Sequence, residues 1–392
     1  MTAAAPRYHV ALGYLRAFLT ALVVGHHAAL AYHPFAPPAR PLATPPYWWA
    51  AFPVVDGQRS MALALFVGFN DVFFMALMFL LSGLFFWPSL QRKGAGAFLR
   101  ERARRLGVPF LVAAALLAPL AYFPSYVTGN GDTSLAGFAR AWLALGTWPA
   151  GPAWFIWVLL AFDTAAAALT RVIGDWPAAL ARRLAGVLKR PAAFFGWLLL
   201  VSFAAYAPLA LLVGPIHWTA LGPFAFQTSR ILLYAVYFAA GAAVGALGVE
   251  TAFPERSGAL ARRWWLWTIG ALVAFAATIP AAIAGAAHPT SRPVLLAGAA
   301  AFVASCAASS FAALALFLRF ATRARPSLDG LRDQAYGVYL LHYPIVSWLQ
   351  LGLLGLAAPG LAKFGAVWIG ALALTVAVVA ALRRIPAVAR VV

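Results

Sequence analysis

Residues 62–87 read ALALFVGFNDVFFMALMFLLSGLFFW, and this stretch decides the kind of fold. Asp71 is its only charged residue. A helix that spans a bilayer needs about 20 mostly apolar residues, whereas a strand of a membrane barrel needs only about 10. The backbone finds no hydrogen-bond partner in lipid, so a run of this length predicts a membrane-spanning α-helix.

The rest of the chain has the same character. Of its 392 residues 64% are hydrophobic and 10% are charged, and the mean hydropathy is +0.84. A soluble protein carries about 25% charged residues, so this composition excludes a water-facing shell. We predict an all-α, polytopic membrane protein with one membrane-embedded domain over residues 1–392 and no soluble domain. About ten spans are expected, at 14–33, 62–87, 106–123, 153–172, 194–213, 229–249, 264–285, 294–318, 335–357 and 362–382.

The net charge of +19 does not indicate a nucleic-acid partner, because the basic residues lie in alternate loops. One set of segments, beginning with Arg7, holds 22 Lys and Arg residues, and the opposite set holds six. Cytoplasmic loops carry the basic excess, so both termini are predicted to be cytoplasmic. Arginine outnumbers lysine 26 to 3, as in GC-rich bacterial genomes, and the predicted location is the bacterial cytoplasmic (inner) membrane.

A cleaved signal peptide is the alternative interpretation of the first span. Arg7 and Arg16 would form its basic region, residues 17–25 its apolar core, and Ala29 and Ala31 a small-residue cleavage site. The loop at 34–61 would be outside the cell in either case. The polar residues inside this span favour a retained helix.

The informative residues of a membrane protein are the ionisable ones inside its spans. A charge at mid-helix costs about 2.5–3.5 kcal/mol on insertion, so such a residue usually faces the bundle interior and marks a site or a pathway. Five residues of this kind stand out: Arg16, His27, Asp71, Asp163 and His342.

Arg16 and His27 are eleven residues apart on the first span. Eleven steps of an α-helix return to within about 20° of the starting face and rise about 16.5 Å, so the two side chains point the same way. His26 is rotated by about 100° and does not share that face. The alternatives are that Arg16 extends to the cytoplasmic interface and that His27 only bonds a neighbouring helix.

Asp71 and Asp163 lie at similar depth in the second and fourth spans. Either carboxylate could orient or charge-balance a histidine, and the sequence leaves both open. His342, seven residues into the ninth span, is either a second site residue or a packing partner.

Two groups are predicted at the cytoplasmic ends of the second and third spans. Arg102 and Arg105 are three residues apart, so an α-helix would place both guanidiniums on one face as a fork suited to phosphates. An ordinary basic loop has the same pattern. Ser82 and Gly83 either line a site or form a helix-packing pair.

Three further features have mainly structural interpretations. The loop at 34–61 is rich in proline and aromatic residues such as Trp48 and Trp49, which predicts an interfacial anchor or else the rim of a site for an external substrate. Gly241 and Gly245 form a small-xxx-small pair that predicts close helix packing. The single cysteine, Cys306, excludes an internal disulfide.

Five motifs in order along the chain resemble the acyltransferase-3 family of membrane acyltransferases. They are Arg16 and His27 with ten residues between them, FLLSG at 79–83, RARRLGVP at 102–109, PAWFIW at 152–157 and YGVYLLHYP at 336–344. The resemblance runs from about residue 12 to 380. Within the family, the sequence is similar in general character to the branch of glucan-modifying succinyl transferases.

The resemblance implies transfer of an acyl group, acetyl or succinyl, from acyl-coenzyme A to a hydroxyl of a carbohydrate, a lipid-linked sugar or a small molecule. His27 would be the general base, oriented by Asp71 or Asp163, and a covalent acyl-histidine is the variant. The donor is a substrate, and neither a permanently bound cofactor nor a metal is expected.

The remaining expected site residues follow from the same resemblance. Acyl-coenzyme A is charged and does not cross lipid, so its phosphates should meet basic residues at the cytoplasmic end. The expected donor-binding residues are Arg16, Arg102 and Arg105, and the expected site-lining residues are Ser82, Trp154 and His342.

A proton-coupled secondary transporter is the competing class. Ten spans, Asp and His residues at the midplane and helices broken by Pro and Gly all suit such a protein. Against it, the hydropathy shows no two-fold repeat, and the spacing of Arg16 and His27 has no special meaning in a transporter.

Overall fold

The computed structural model describes residues 9–45 and 47–391, so Arg7 and Pro46 lie outside the described residues. The described chain is a bundle of α-helices with one small antiparallel hairpin, β1 (Trp218–Leu221) and β2 (Phe224–Gln227). The helices are α1 (Val10–Leu30), α2 (Met61–Gly83), α3 (Phe86–Lys93), α4 (Ala95–Arg102), α5 (Val108–Val112), α6 (Ala118–Asn130), α7 (Leu135–Leu143), α8 (Trp154–Ile173), α9 (Trp176–Leu188), α10 (Pro191–Val213), α11 (Ile231–Leu247), α12 (Val249–Ala252), α13 (Ala259–Arg262), α14 (Trp264–Ala287), α15 (Arg292–Phe320), α16 (Pro326–Gly352), α17 (Gly360–Leu382) and α18 (Pro386–Ala389).

Nine helical segments of the described chain are long and apolar enough to cross a membrane. They correspond to nine of the ten predicted runs, and the all-α membrane fold is confirmed. The tenth run, 335–357, overlaps α16, which is 27 residues long but carries Asp329, Arg332 and Asp333 in its first turns. Those charges leave only the later part of α16 apolar. The number of crossings and the side of the termini stay predictions.

Helix α1 lies within the bundle and contacts α2, α15, α16 and α17. Fourteen of its 21 residues are buried, including Leu12, Leu15 and Leu19. A helix that supplies this much of the core supports a retained span rather than a cleaved signal peptide.

Glycines allow α2 and α11 to pack backbone against backbone. A Cβ atom added at Gly241 would collide with the carbonyl oxygen of Leu80, and one at Gly245 with that of Leu84. Gly83 meets α11 in the same way, at the carbonyl oxygen of Phe238. Close packing at the small-xxx-small pair is therefore confirmed, and Gly83 belongs to the same contact.

We expect Gly241→Ala to lower the free energy of unfolding by about 1–3 kcal/mol, because the added methyl group has no space and must push the helices apart. Thermal unfolding of the purified protein in detergent measures this. Gly270→Ala, in α14, is the matched control because its Cβ would meet open space. Equal melting temperatures for the two variants would contradict the close contact.

The long loop between α1 and α2 is held by buried contacts. Asp56 accepts a hydrogen bond from Lys363 Nζ at 2.7 Å, and the side chains of this ion pair are only 4% and 1% exposed. Ser125 donates to the carbonyl of Pro53 at 2.7 Å, and Trp49 is buried against Tyr122. The protein itself, rather than the membrane interface, surrounds Trp49, and both the interfacial anchor and the rim of a site stay predictions.

Candidate active site

Helix α1 carries both residues of the first motif. It is uninterrupted from Val10 to Leu30, so the eleven-residue spacing of Arg16 and His27 is a spacing along one straight helix face. The exposed Arg16 has its guanidinium over the ring of Phe85, 5.8 Å from the ring centroid. His27 lies near the other end of the helix, so α1 joins a basic end to a histidine site.

His27 meets two residues of the last motif, both on α16. Its ring centroid is 5.3 Å from that of His342 and 4.9 Å from that of Tyr343. The Nδ1 atom of His27 is buried and has no hydrogen-bond partner among the described residues. A buried polar atom without a partner costs about 1–3 kcal/mol, so such an atom beside a second histidine marks a place for a ligand.

His342 is fully buried, and the hydrogen bond of one ring nitrogen determines the role of the other. Its Nδ1 atom lies 2.7 Å from the carbonyl oxygen of Tyr339. A carbonyl oxygen only accepts, so Nδ1 carries the proton and Nε2 is an acceptor. This Nε2 atom has no partner within the described chain. The structure thus places His342 beside His27 with an acceptor nitrogen available.

The two predicted carboxylates are paired with arginines. Asp71 accepts from the guanidinium of Arg230 at 2.7 Å, and Arg230 also donates to the carbonyl of Asp71 at 2.9 Å. Asp163, 1% exposed, lies 3.1 Å from Nε of Arg102, an ion-pair distance without the alignment of a hydrogen bond. Within the described chain neither carboxylate forms an ion pair with His27.

The expected orientation of His27 by Asp71 or Asp163 therefore differs from the observed arrangement. A carboxylate inside a helix bundle is stabilised most by a permanently charged, forked partner, and an arginine supplies that better than a neutral imidazole. Sequence reasoning counted Arg230 only among the loop charges. In the sequence, the signal for a buried Arg230 was its place at the edge of an apolar run. In the structure this residue is 5% exposed.

Arg102 and Arg105 do not form the expected fork. Residues Ala103–Gly107 adopt a π-helix, whose wider turn changes which residues share a face. Arg102 turns toward Asp163, whereas the side chain of Arg105 is 50% exposed and lies 3.6 Å from Glu101. The two guanidiniums are close in sequence, but that of Arg102 lies beside a buried carboxylate and that of Arg105 lies at the surface.

Ser82 and Trp154 make packing contacts. Ser82 donates to the carbonyl of Met78 in its own helix at 2.8 Å. Trp154 stacks on Tyr234 with ring centroids 5.8 Å apart and meets Trp218 edge to face at 5.4 Å. Their predicted place in the lining of the site stays a prediction.

A family model described as an acyltransferase domain matches residues 9–384, a range that contains all five motifs. The chain belongs to the acyltransferase-3 family. Membership identifies a multi-pass membrane acyltransferase, and such an enzyme uses an acyl donor and a hydroxyl acceptor. Comparisons with curated proteins and with solved structures found no match.

In this acyltransferase-3 domain further polar groups lie near His27. The ring of His26 lies 5.4 Å from that of His27 between centroids and stacks on Phe74 at 5.2 Å. His26 therefore faces a different neighbour from His27, as predicted. His26 interacts electrostatically with Asp71, and Asp71 forms an ion pair with Arg230. Among the described residues no three His, Cys, Asp or Glu side chains lie together as a metal ion would need.

Proposed function

We propose that this protein moves an acyl group, acetyl or succinyl, from cytoplasmic acyl-coenzyme A to a hydroxyl of a carbohydrate or another envelope or small-molecule acceptor. The proposal places it in the bacterial inner membrane with both termini in the cytoplasm. The observation that carries it is the contact between His27, on the helix that also holds Arg16, and His342 of α16, in a chain of the acyltransferase-3 family.

Basic residues at the start of α1 and around the π-helix support a polyanionic donor. Arg16 and Arg105 are exposed, and Arg102 is partly exposed beside Asp163. Guanidiniums bind phosphates through paired, charge-assisted hydrogen bonds. We assign the phosphates of acyl-coenzyme A to this end, with its flexible arm extending along α1 toward His27.

The two histidines support a general-base mechanism. His27 takes the proton of the acceptor hydroxyl while the hydroxyl oxygen attacks the carbonyl carbon of the thioester. This attack forms the C–O bond and a tetrahedral intermediate. The C–S bond then breaks, and the leaving thiolate takes the proton from His27. During the reaction the acceptor Nε2 of His342, whose ring lies beside that of His27, would accept a hydrogen bond from His27 and stabilise its imidazolium, the role first expected of a carboxylate.

We expect Arg16→Ala to raise the KM for acetyl- or succinyl-coenzyme A by about tenfold or more, because a charge-assisted hydrogen bond to phosphate is worth about 1.5–3 kcal/mol. Release of the free coenzyme A thiol by detergent-purified protein measures this. Arg140→Ala, an exposed arginine on α7, is the matched control. An equal KM for the donor in the two variants would show that Arg16 does not bind the donor.

A further inference from the structure

The side chain of Asp71 is accessible although it lies in the middle of a span. It is the eleventh of 23 residues in α2, and 45% of its side chain is exposed. Asp71 interacts electrostatically with His26 of α1 and is paired with Arg230, whose guanidinium packs over Phe302 of α15, 4.6 Å from the ring centroid. A carboxylate facing lipid is costly, so this access indicates a crevice between the helices.

Two side chains beside Asp71 have buried nitrogen atoms without a hydrogen-bond partner among the described residues. Arg230 is 5% exposed, yet its Nε has no partner among the described residues. The Nδ1 atom of His26 is also buried and has no hydrogen-bond partner among the described residues. Since buried polar groups in native proteins are nearly always paired, these atoms point to a polar ligand.

The charge of the crevice indicates which ligand. Asp71 and Arg230 neutralise each other, so the site has no excess charge to attract an anion. It offers a carboxylate acceptor beside guanidinium donors, and a hydroxyl both donates and accepts. Its position matters as well, because His26 is 5.4 Å from His27 between ring centroids.

We propose that His26, Asp71 and Arg230 form the acceptor site and bind a neutral polyol, such as a sugar ring, through adjacent hydroxyls. A further hydroxyl of the same molecule then reaches His27. This inference rests on the proposed acyl transfer, and it assigns Asp71 to acceptor binding rather than to the orientation of His27.

The test uses the purified protein with acetyl- or succinyl-coenzyme A and three polyols: methyl β-D-glucopyranoside, methyl β-D-galactopyranoside and myo-inositol. We expect at least one polyol to accelerate release of the coenzyme A thiol and to become acylated, and cyclohexanol, with a single hydroxyl, to do neither. Asp71→Asn and, independently, His26→Phe, which keeps the stacking on Phe74, should raise the KM for that polyol at least tenfold. Asp175→Asn, whose ion pair with Arg182 is exposed, is the control.

A second measurement separates the two proposals. Binding of the same polyols without donor, followed by calorimetry, reports on the crevice even if no thioester is consumed, and binding lost in Asp71→Asn supports it. Thioester turnover with a polyol KM unchanged in both folded variants would overturn the acceptor site and leave acyl transfer standing. Equal acceleration by cyclohexanol, or no effect and no binding of any polyol, would also overturn it.

Discussion

His27→Asn is expected to lower the rate of acyl transfer by about 10²–10⁴-fold, the usual contribution of a general base. Asparagine has a similar polar shape but cannot take a proton from the acceptor hydroxyl at neutral pH. The donor should still bind, because its phosphates are assigned to Arg102, Arg105 and Arg16, and Arg16 is about 16.5 Å from His27 along α1. Initial rates of coenzyme A release with saturating donor and acceptor measure the effect.

The control for this variant is His288→Asn, a change at an exposed histidine at the end of α14. It should have wild-type activity and an unchanged melting temperature. If folded His27→Asn kept more than a tenth of the wild-type rate, the assignment of the base to His27 would be wrong.

His342→Phe is expected to lower kcat by about 10–100-fold with little change in the donor KM, since it removes a hydrogen bond to a group that becomes charged, worth about 1.5–3 kcal/mol. Phenylalanine fills the fully buried space, so the loss should come from chemistry rather than from a cavity. His342→Gln keeps an acceptor oxygen and should recover part of the rate. Steady-state kinetics on both variants measures the difference between kcat and KM.

His217→Phe, in the exposed hairpin segment, is the matched control. A purely structural role for His342 would predict equal losses in the Phe and Gln variants together with lower melting temperatures. A donor KM that rose as kcat fell would place His342 in donor binding instead.

Features within one helix could be predicted from the sequence. The eleven-residue spacing of Arg16 and His27 and the different direction of His26 follow from helix geometry, and the structure has one continuous helix there. The packing at Gly241 and Gly245 was predicted because small residues four apart let two backbones approach. These are local properties of the chain.

Pairs between helices could not be predicted in the same way. Asp71 and Arg230 are 159 residues apart, and Asp56 and Lys363 are 307 apart. Each carboxylate had several basic candidates in the sequence, and only packing decides between them. For this reason the orienting partner of His27 was expected to be a carboxylate, whereas the ring found beside His27 is the imidazole of His342.

The π-helix at Ala103–Gly107 is a further case. Its residues have ordinary helical composition, so the spacing of Arg102 and Arg105 predicted one shared face. One buried carboxylate, that of Asp163, draws Arg102 inward, and the local backbone departs from the α-helix next to it. Pro109 has no N–H for the carbonyl of Arg105, which instead accepts from the hydroxyl of Tyr336 in α16, so a local signal and a tertiary contact both accompany the π-helix.

The most direct test of acyl transfer follows a labelled acyl group from acetyl- or succinyl-coenzyme A to a polyol by mass spectrometry, with wild-type protein purified in detergent. We predict one ester-linked acyl group on the polyol for each free thiol released. Unconsumed donor, together with proton-coupled uptake of a solute after reconstitution into liposomes, would contradict acyl transfer and favour a transporter.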